Sequence, residues 1–289
     1  IRDKLVTGVQ TCALPISAVL ANSALSTYFL NLFPFTTTGR SDLWSFGFRD
    51  QPTYLNDEYT EVKALAEHLL TTYANTGKTF ILQSWEGDWA LLKSTTATDY
   101  IPPRRVEYMK AWLRVRQRAV NDARIAVPPN NVRVLHSVEL NRVQDVIISP
   151  NMRRVVNEVL PDITPDMVSY SAYDAHFDLS IGGGSTWYSN QAEWISKMQE
   201  KMDAGIGLIR QSAPGAEVYI GEWGFPEDEI PAGYTLSTMF DAVMTKCNAL
   251  NLPYAVYWQV WDNEARGYFT QKSNGLDSLA GAHIRSLLA

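Results

Sequence analysis

The sequence predicts an α/β fold built on a parallel sheet. Short runs rich in β-branched and aromatic residues alternate with longer stretches in which apolar residues recur every three or four positions, a pattern typical of βα units. The chain has 289 residues, a length that suits either one α/β barrel or two small domains. Acidic and aromatic side chains follow several of the β runs, which is where parallel sheets bind their ligands.

The first residues do not fit this pattern. The string VTGVQTCALPI, from Val6 to Ile16, reads as the in-frame translation of a short-read sequencing adapter. We therefore expect residues 1–17 to be a non-native segment and residues 18–289 to form a single domain of about one barrel's size. The native N-terminus, the first strand and any export signal would then have preceded this fragment.

Six β runs and four helical stretches follow in chain order. The β runs are 28–33, 79–83, 132–136, 167–171, 217–221 and 254–259. Apolar residues recur at helical spacing along 59–73, 104–124, 195–209 and 236–247. Residues 35–55, rich in Thr, Gly and aromatics, predict a long loop, while Arg154–Leu160 fits either a short strand or a helix.

Composition excludes several classes of function. The formal net charge of −6 argues against a nucleic-acid partner, and no apolar run approaches the roughly 18 residues of a membrane span. Four histidines without metal-binding spacing predict no metal, and two cysteines cannot form a disulfide framework. The chain has no Gly-x-Ser-x-Gly nucleophile motif, and we expect no cofactor.

Aromatic, acidic and amide side chains are concentrated where the predicted strands end. Aromatic residues make up 11% of the chain, and five of its 9 tryptophans lie at these ends. The candidate side chains are Trp85, Glu86, Asp88, Trp89, His136, Glu139, Asn141, Tyr173, His176, Glu222, Trp223, Trp258, Gln259 and Trp261. Because the carboxyl ends of parallel strands meet at one edge of a sheet, we expect these groups to converge.

These groups suit carbohydrate chemistry. Flat aromatic faces pack against the C–H faces of sugar rings, and carboxylates and amides bind sugar hydroxyls. Cleavage of a glycosidic bond requires two carboxyls, one protonated to assist the leaving oxygen and one ionised to attack or to activate water. Apolar neighbours raise the pKa of the first carboxyl, and hydrogen-bond donors lower the pKa of the second.

Three short motifs resemble the retaining glycoside hydrolases of clan A, the (β/α)8 superfamily that includes cellulases, mannanases and many β-glycosidases. The stretch Tyr219–Gly224, YIGEWG, looks like the strand-seven signature, and the resemblance makes Glu222 the nucleophile. Tyr257 and Trp258 look like the aromatic platform of strand eight. Glu139 fits the strand-four position of the acid/base, although Val138 stands where the clan usually has Asn.

The resemblance implies a TIM (β/α)8 barrel without its first strand, acting as a retaining β-glycoside hydrolase. Glu139 would be the acid/base and the other candidate side chains would bind the poly- or oligosaccharide substrate, with Glu86 or Asp88 as alternatives for the acid. A secreted or periplasmic location is expected from the same resemblance, and we also expect a monomer. The alternative function is a carbohydrate-binding barrel without catalysis, which would retain the aromatic mouth and lose the carboxyl geometry.

Overall fold

The computed structural model describes residues 13–33, 52–93, 100–179, 185–262 and 265–288. Six strands form one parallel sheet in the order β1-β2-β3-β4-β7-β8. Their bounds are β1 (Thr27–Asn31), β2 (Thr79–Gln83), β3 (Arg133–Leu140), β4 (Met167–Ser171), β7 (Glu217–Trp223) and β8 (Ala255–Tyr257). The two-residue strands β5 (Asp178–Leu179) and β6 (Ser185–Thr186) pair separately as an antiparallel ladder. The α/β class and the parallel sheet predicted from the sequence are confirmed.

Nine α-helices are found within the described residues. They are α1 (Ala13–Ala21), α2 (Pro52–Thr72), α3 (Gly87–Leu92), α4 (Pro103–Ala126), α5 (Val143–Ile148), α6 (Tyr173–His176), α7 (Gln191–Ser212), α8 (Leu236–Ala249) and α9 (Leu279–Leu288). Three of the four stretches of predicted helical spacing lie within helices, and the fourth, 59–73, extends one residue past the end of α2. None of the helices in this part of the chain combines the length and apolarity needed to cross a membrane.

Two segments differ from or extend the sequence-based expectations. The ambiguous stretch from Arg154 to Leu160 forms a π-helical turn, Val155–Val159, which is followed by a 3-10 turn, Leu160–Asp162. The segment adds no strand to the sheet, in which β3 and β4 are direct neighbours. The predicted loop at 35–55 ends earlier, since α2 begins at Pro52; residues 35–51 lie outside the described residues, as do residues 1–12 of the predicted non-native segment.

The chain divides into two compact units. The first comprises Ile1–Trp85, Pro103–Val138 and Ile163–Met167, and the second comprises Glu86–Pro102, Glu139–Asp162 and Val168–Ala289. The boundaries between the units fall inside β3 and β4.

The core of the first unit lies where α2 and α4 pack on the strands. Tyr28 and Phe80 stack with their ring centroids 5.2 Å apart, and buried Leu69 and Val120 complete the cluster from the helices. Burial of such side chains stabilises the fold by roughly 1.5–3 kcal/mol each. The same unit contains a buried ion pair between Arg116 and Glu58, in which the charges compensate each other.

The core of the second unit is lined by the apolar face of α7. Asn190 caps this helix, because its side chain accepts a hydrogen bond from the Glu193 N–H at 2.9 Å. The buried residues on the helix recur at helical spacing: Trp194, Met198, Met202, Ile206 and Ile209. The Trp194 indole N–H donates to the His176 carbonyl at 2.7 Å, so the largest of these side chains is both packed and satisfied.

Candidate active site

Three glutamates lie together in the second unit at the carboxyl ends of strands. Glu139 and Glu222 are the penultimate residues of β3 and β7, and Glu86 immediately precedes α3. Strand β4 lies between β3 and β7 in the sheet, so side chains at its end are placed between those of Glu139 and Glu222. Glu139 is only 1% exposed, whereas Glu86 and Glu222 are half-buried.

Both carboxylate oxygens of Glu139 accept hydrogen bonds. The Glu86 backbone N–H donates to Oε2 at 2.7 Å, and the Ser169 hydroxyl donates to Oε1 at 2.9 Å. Burial raises the pKa of Glu139 to about 7, even though the two hydrogen bonds lower it. Glu139 is therefore held in a fixed position and titrates near neutral pH.

The Glu86 carboxyl accepts a hydrogen bond from the Ser171 hydroxyl at 3.1 Å. Burial, followed by the nearby charges of Glu222 and Glu139, raises the pKa of Glu86 well above its usual range. Its backbone φ of 27° lies in the left-handed region that non-glycine residues seldom adopt, and this conformation directs its N–H toward Glu139. A carboxyl in this environment binds a proton more tightly than an exposed glutamate does.

Tyr173, at the start of α6, lies beside Glu222. Burial raises the pKa of the Tyr173 phenol well above its usual range, and the charge of Glu222 raises it further. The Tyr173 ring also contacts Tyr268 edge to face, with centroids 6.0 Å apart. The backbone supports the same arrangement, because the Ala172 N–H donates to the Glu222 carbonyl at 2.9 Å. A protonated phenol is thus positioned next to the Glu222 carboxyl.

Two glycines permit the backbone around Glu222 to approach its neighbours. A Cβ on Gly221 would lie 1.7 Å from Ser169 Oγ and 3.0 Å from Glu139 Oε1. A Cβ on Gly224 would lie 2.4 Å from the Trp258 carbonyl oxygen. Both glycines of the GEWG motif are therefore needed because a side chain would not fit. Backbone conformation is not the reason, since neither glycine has a positive φ.

Asp88 and Asn141 are buried and hold each other's backbone. Asp88 Oδ2 accepts from the N–H groups of Asn141 and Arg142 at 2.9 and 3.0 Å, and its Oδ1 accepts from the Val155 N–H at 2.8 Å. In return, Asn141 Oδ1 accepts from the Asp88 N–H at 3.1 Å. Both side chains were predicted to bind substrate, but this geometry uses them to join α3 to the segment after β3.

The predicted aromatic platforms have very different exposures. Trp223 is fully buried against Phe240 and Tyr257, so it packs in the core and presents no open face to a sugar. Trp258 and Gln259 are half-buried and joined by a cis peptide bond, and Trp261 is 68% exposed.

Trp89, on α3, is half-buried, with the Arg142 guanidinium 5.5 Å from its ring centroid. Trp85 is also half-buried and belongs to the first unit.

The two candidate histidines are buried and neutral. His176 lies in the second unit among the rings of Trp194, Trp223 and Phe225, where burial lowers its pKa to about 3. His136 lies in the first unit, and its Nδ1 is 3.1 Å from Gln117 Oε1. Its pKa is also lowered to about 3 by burial. Among the residues that the structure describes, no cluster of His, Cys, Asp and Glu could hold a metal ion.

Sequence reasoning missed the two serines of β4 and the spatial role of Gly221. The signal for the serines was present, because Ser169 and Ser171 are the two polar residues of the otherwise apolar run MVSYS, in which every residue is buried. Residues two apart on a strand project from the same face, so both hydroxyls are directed to the glutamates.

Comparison with protein families and with curated proteins finds no match to this chain.

Proposed function

We propose that this protein is a retaining glycoside hydrolase with a TIM-type (β/α)8 fold, which cleaves β-glycosidic bonds of a poly- or oligosaccharide by double displacement. The observation that carries the proposal is the glutamate cluster at the strand ends, in which two half-buried glutamates lie beside a third that is buried and hydrogen-bonded. Burial raises the pKa of Glu139 and of Glu86, and the charge of Glu222 raises that of Glu86 further, so the cluster holds carboxyls that can keep a proton as a general acid must.

Glu222 is the nucleophile in this proposal. Its carboxylate attacks the anomeric carbon while a protonated carboxyl of the cluster protonates the departing oxygen, and water then hydrolyses the glycosyl-enzyme ester. The sequence resemblance gives the acid/base role to Glu139, whose pKa of about 7 is compatible with proton transfer near neutral pH. The Tyr173 phenol beside Glu222 would orient the nucleophile.

The half-buried and exposed aromatics near the strand ends supply the sugar-binding surface. Trp258 and Trp261 follow β8, and Trp89 lies on α3, which begins directly after Glu86. Aromatic faces that remain partly exposed at the strand ends suit sugar rings, whereas Trp223 is fully buried and takes no part in substrate binding. The substrate class that fits is a neutral glycan, bound by stacking and by hydrogen bonds to the amide of Gln259.

Hydrolysis of a panel of β-glucans, mannans and aryl β-glycosides tests the proposal. We expect the wild-type protein to release products whose anomeric configuration, followed by NMR, is retained. Glu222→Gln should lower kcat by several orders of magnitude because it removes the nucleophile. Glu217→Gln is the matched control, since Glu217 is exposed at the opposite end of the same strand. Glycan binding without turnover by the wild type would instead indicate a carbohydrate-binding protein.

A further inference from the structure

The geometry points to Glu86, and not Glu139, as the carboxyl that protonates the leaving group and later activates water. This inference rests on the proposed glycoside hydrolase function and changes the acid/base assignment that the sequence resemblance gives. Glu139 then becomes a positioning residue that holds Glu86 in place. Three observations support this exchange of roles: the exposure of the two side chains, the hydrogen bonds that each accepts, and the charges around Glu86.

Access to substrate favours Glu86. A general acid must come within hydrogen-bond distance of the oxygen that it protonates. Glu139 is 1% exposed, whereas Glu86 and Glu222 are both half-buried residues that retain part of their surface. The two glutamates of the cluster that retain exposed surface are therefore Glu86 and Glu222.

The hydrogen bonds separate the two glutamates further. Both oxygens of Glu139 accept a bond, one from the Glu86 backbone N–H and one from Ser169. At Glu86 the described residues provide one side-chain donor, the Ser171 hydroxyl, which bonds Oε1 and leaves Oε2 to carry a proton. The bond from the Glu86 N–H to Glu139 also stabilises the unusual backbone conformation at residue 86, where φ is 27°.

Burial and the charges around Glu86 both favour the protonated form of its carboxyl. Its carboxyl is close enough to Glu222 and Glu139 that both anions raise its pKa, after the larger effect of burial. When Glu222 becomes an ester in the glycosyl-enzyme, its negative charge is removed and the pKa of Glu86 falls. Glu86 can then act as the base of the second step.

Bonds and protons are conserved over the two steps of this reaction. The Glu86 O–H gives its proton to the glycosidic oxygen as the bond from C1 to that oxygen breaks and a bond from Glu222 to C1 forms; the leaving group departs as an alcohol. The Glu86 carboxylate then takes a proton from water as the water oxygen bonds to C1 and the ester bond to Glu222 breaks. Both carboxyls return to their starting states, and no other reactant is consumed.

Dependence on the leaving group distinguishes Glu86 from Glu139. With aryl and alkyl glycosides of a sugar that the wild type hydrolyses, Glu86→Gln should lower kcat/KM for the alkyl glycoside by about 10²–10⁴-fold. It should lower kcat/KM for the 2,4-dinitrophenyl glycoside by less than about tenfold, because that leaving group departs without protonation. Added azide should restore turnover in Glu86→Gln and give the glycosyl azide. Glu139→Gln should lower both rates by a similar factor, without rescue by azide.

A second pair of variants tests the inference in case Glu86→Gln does not fold. Ser171→Ala removes the donor that favours ionised Glu86, and we expect the basic limb of the pH profile of kcat/KM to move up by about one pH unit. Ser169→Ala removes the equivalent donor from Glu139 and should not move that limb upward. The serines are two residues apart on one strand, so each is the matched control of the other.

The outcomes separate failure of this inference from failure of the proposed function. A wild-type protein that hydrolyses no glycoside contradicts the function and, with it, the role of Glu86. If the wild type is active and Glu139→Gln shows both the leaving-group dependence and the rescue by azide, Glu139 is the acid and the inference is wrong. An upward shift in Ser169→Ala with none in Ser171→Ala would overturn it in the same way.

Discussion

At the scale of single residues, Gly221 determines how closely β7 approaches β4. The strand places Glu222 directly after a position that has no room for a side chain, because Ser169 Oγ and Glu139 Oε1 occupy that space. Packing in protein interiors is close to that of organic crystals, so such a site cannot absorb an added methyl group without displacing its neighbours. The hydrogen bond between Ser169 and Glu139 therefore depends on the absence of a side chain at residue 221.

We expect Gly221→Ala to lower the free energy of unfolding by at least about 1–3 kcal/mol, the usual cost of overpacking. It should also reduce any hydrolytic activity, because Ser169 must move away from Glu139. Denaturation in urea measures the first effect. Gly215→Ala is the control, since a Cβ there meets nothing within 4 Å and the position is exposed. Equal stability of the two variants would contradict this view of Gly221.

At the scale of elements, helix α7 contains two glycines with opposite surroundings. A Cβ on Gly207, which is exposed, would meet nothing within 4 Å. A Cβ on Gly205, which is buried, would lie 3.0 Å from Gln144 Nε2 and 3.2 Å from the Tyr170 ring. Glycine in a helix costs roughly 0.5–1 kcal/mol relative to alanine because the unfolded chain loses more conformational freedom. Gly205 is thus explained by the close approach of β4 and α5, and Gly207 has no such explanation.

Gly207→Ala should accordingly raise the free energy of unfolding by about 0.5–1 kcal/mol. Gly205→Ala should show a smaller gain or a loss, because the same gain in helix propensity is offset by crowding against Gln144 and Tyr170. Thermal or urea denaturation of both variants provides the comparison. A larger gain at Gly205 than at Gly207 would show that the space around Gly205 is not restrictive.

The elements also show how far the sequence could predict the fold. The runs at 79–83 and 167–171 match β2 and β4 residue for residue, because continuous burial makes such strands uniformly apolar or small. Strand β3 extends four residues past the predicted run, because its polar residues at 136, 137 and 139 interrupt the apolar pattern although they are buried. The segment after Arg154 could not be resolved, because a short apolar run has no diagnostic period.

The sequence likewise predicts some features of the candidate site and not others. Position along the chain predicted that Glu86, Glu139 and Glu222 end or follow strands, because parallel topology brings such ends to one edge. Exposure could not be predicted, because it depends on neighbours that are distant in sequence. Trp223 is covered by Phe240 and Tyr257, and Asp88 is bonded to backbone groups after β3.

At the scale of the whole molecule, buried titratable groups make stability depend on pH in opposing ways. The pKa of His136 and His176 is lowered to about 3 by burial, so the stability each contributes is complete above pH 6.5 and is lost as the pH falls. The pKa of Glu139 and Asp174 is raised to about 7 by burial, so the stability they contribute is lost as the pH rises through 7. Between pH 5 and 7 the two effects partly cancel, and a single-site variant is needed to separate them.

His176→Phe isolates one of these contributions. Phenylalanine suits a site between the rings of Trp194 and Trp223, and neither nitrogen of His176 has a hydrogen-bond partner among the described residues. In the wild type, protonation of the unfolded chain at His176 should cost about 2 kcal/mol of stability between pH 8 and pH 5, at about 1.36 kcal/mol per pH unit below 6.5. The variant should lack this loss.

The measurement is the free energy of unfolding in urea at pH 8 and pH 5 for both proteins. At pH 8 the histidine is neutral in both the folded and the unfolded state, so the pH 8 values report the packing effect of the substitution alone. The difference between pH 8 and pH 5 then reports the proton. Between pH 8 and pH 5, we expect His176→Phe to lose about 2 kcal/mol less free energy of unfolding than the wild type loses. An identical difference in the two proteins would mean that His176 is protonated in the folded state and that its ring is not enclosed as the structure describes.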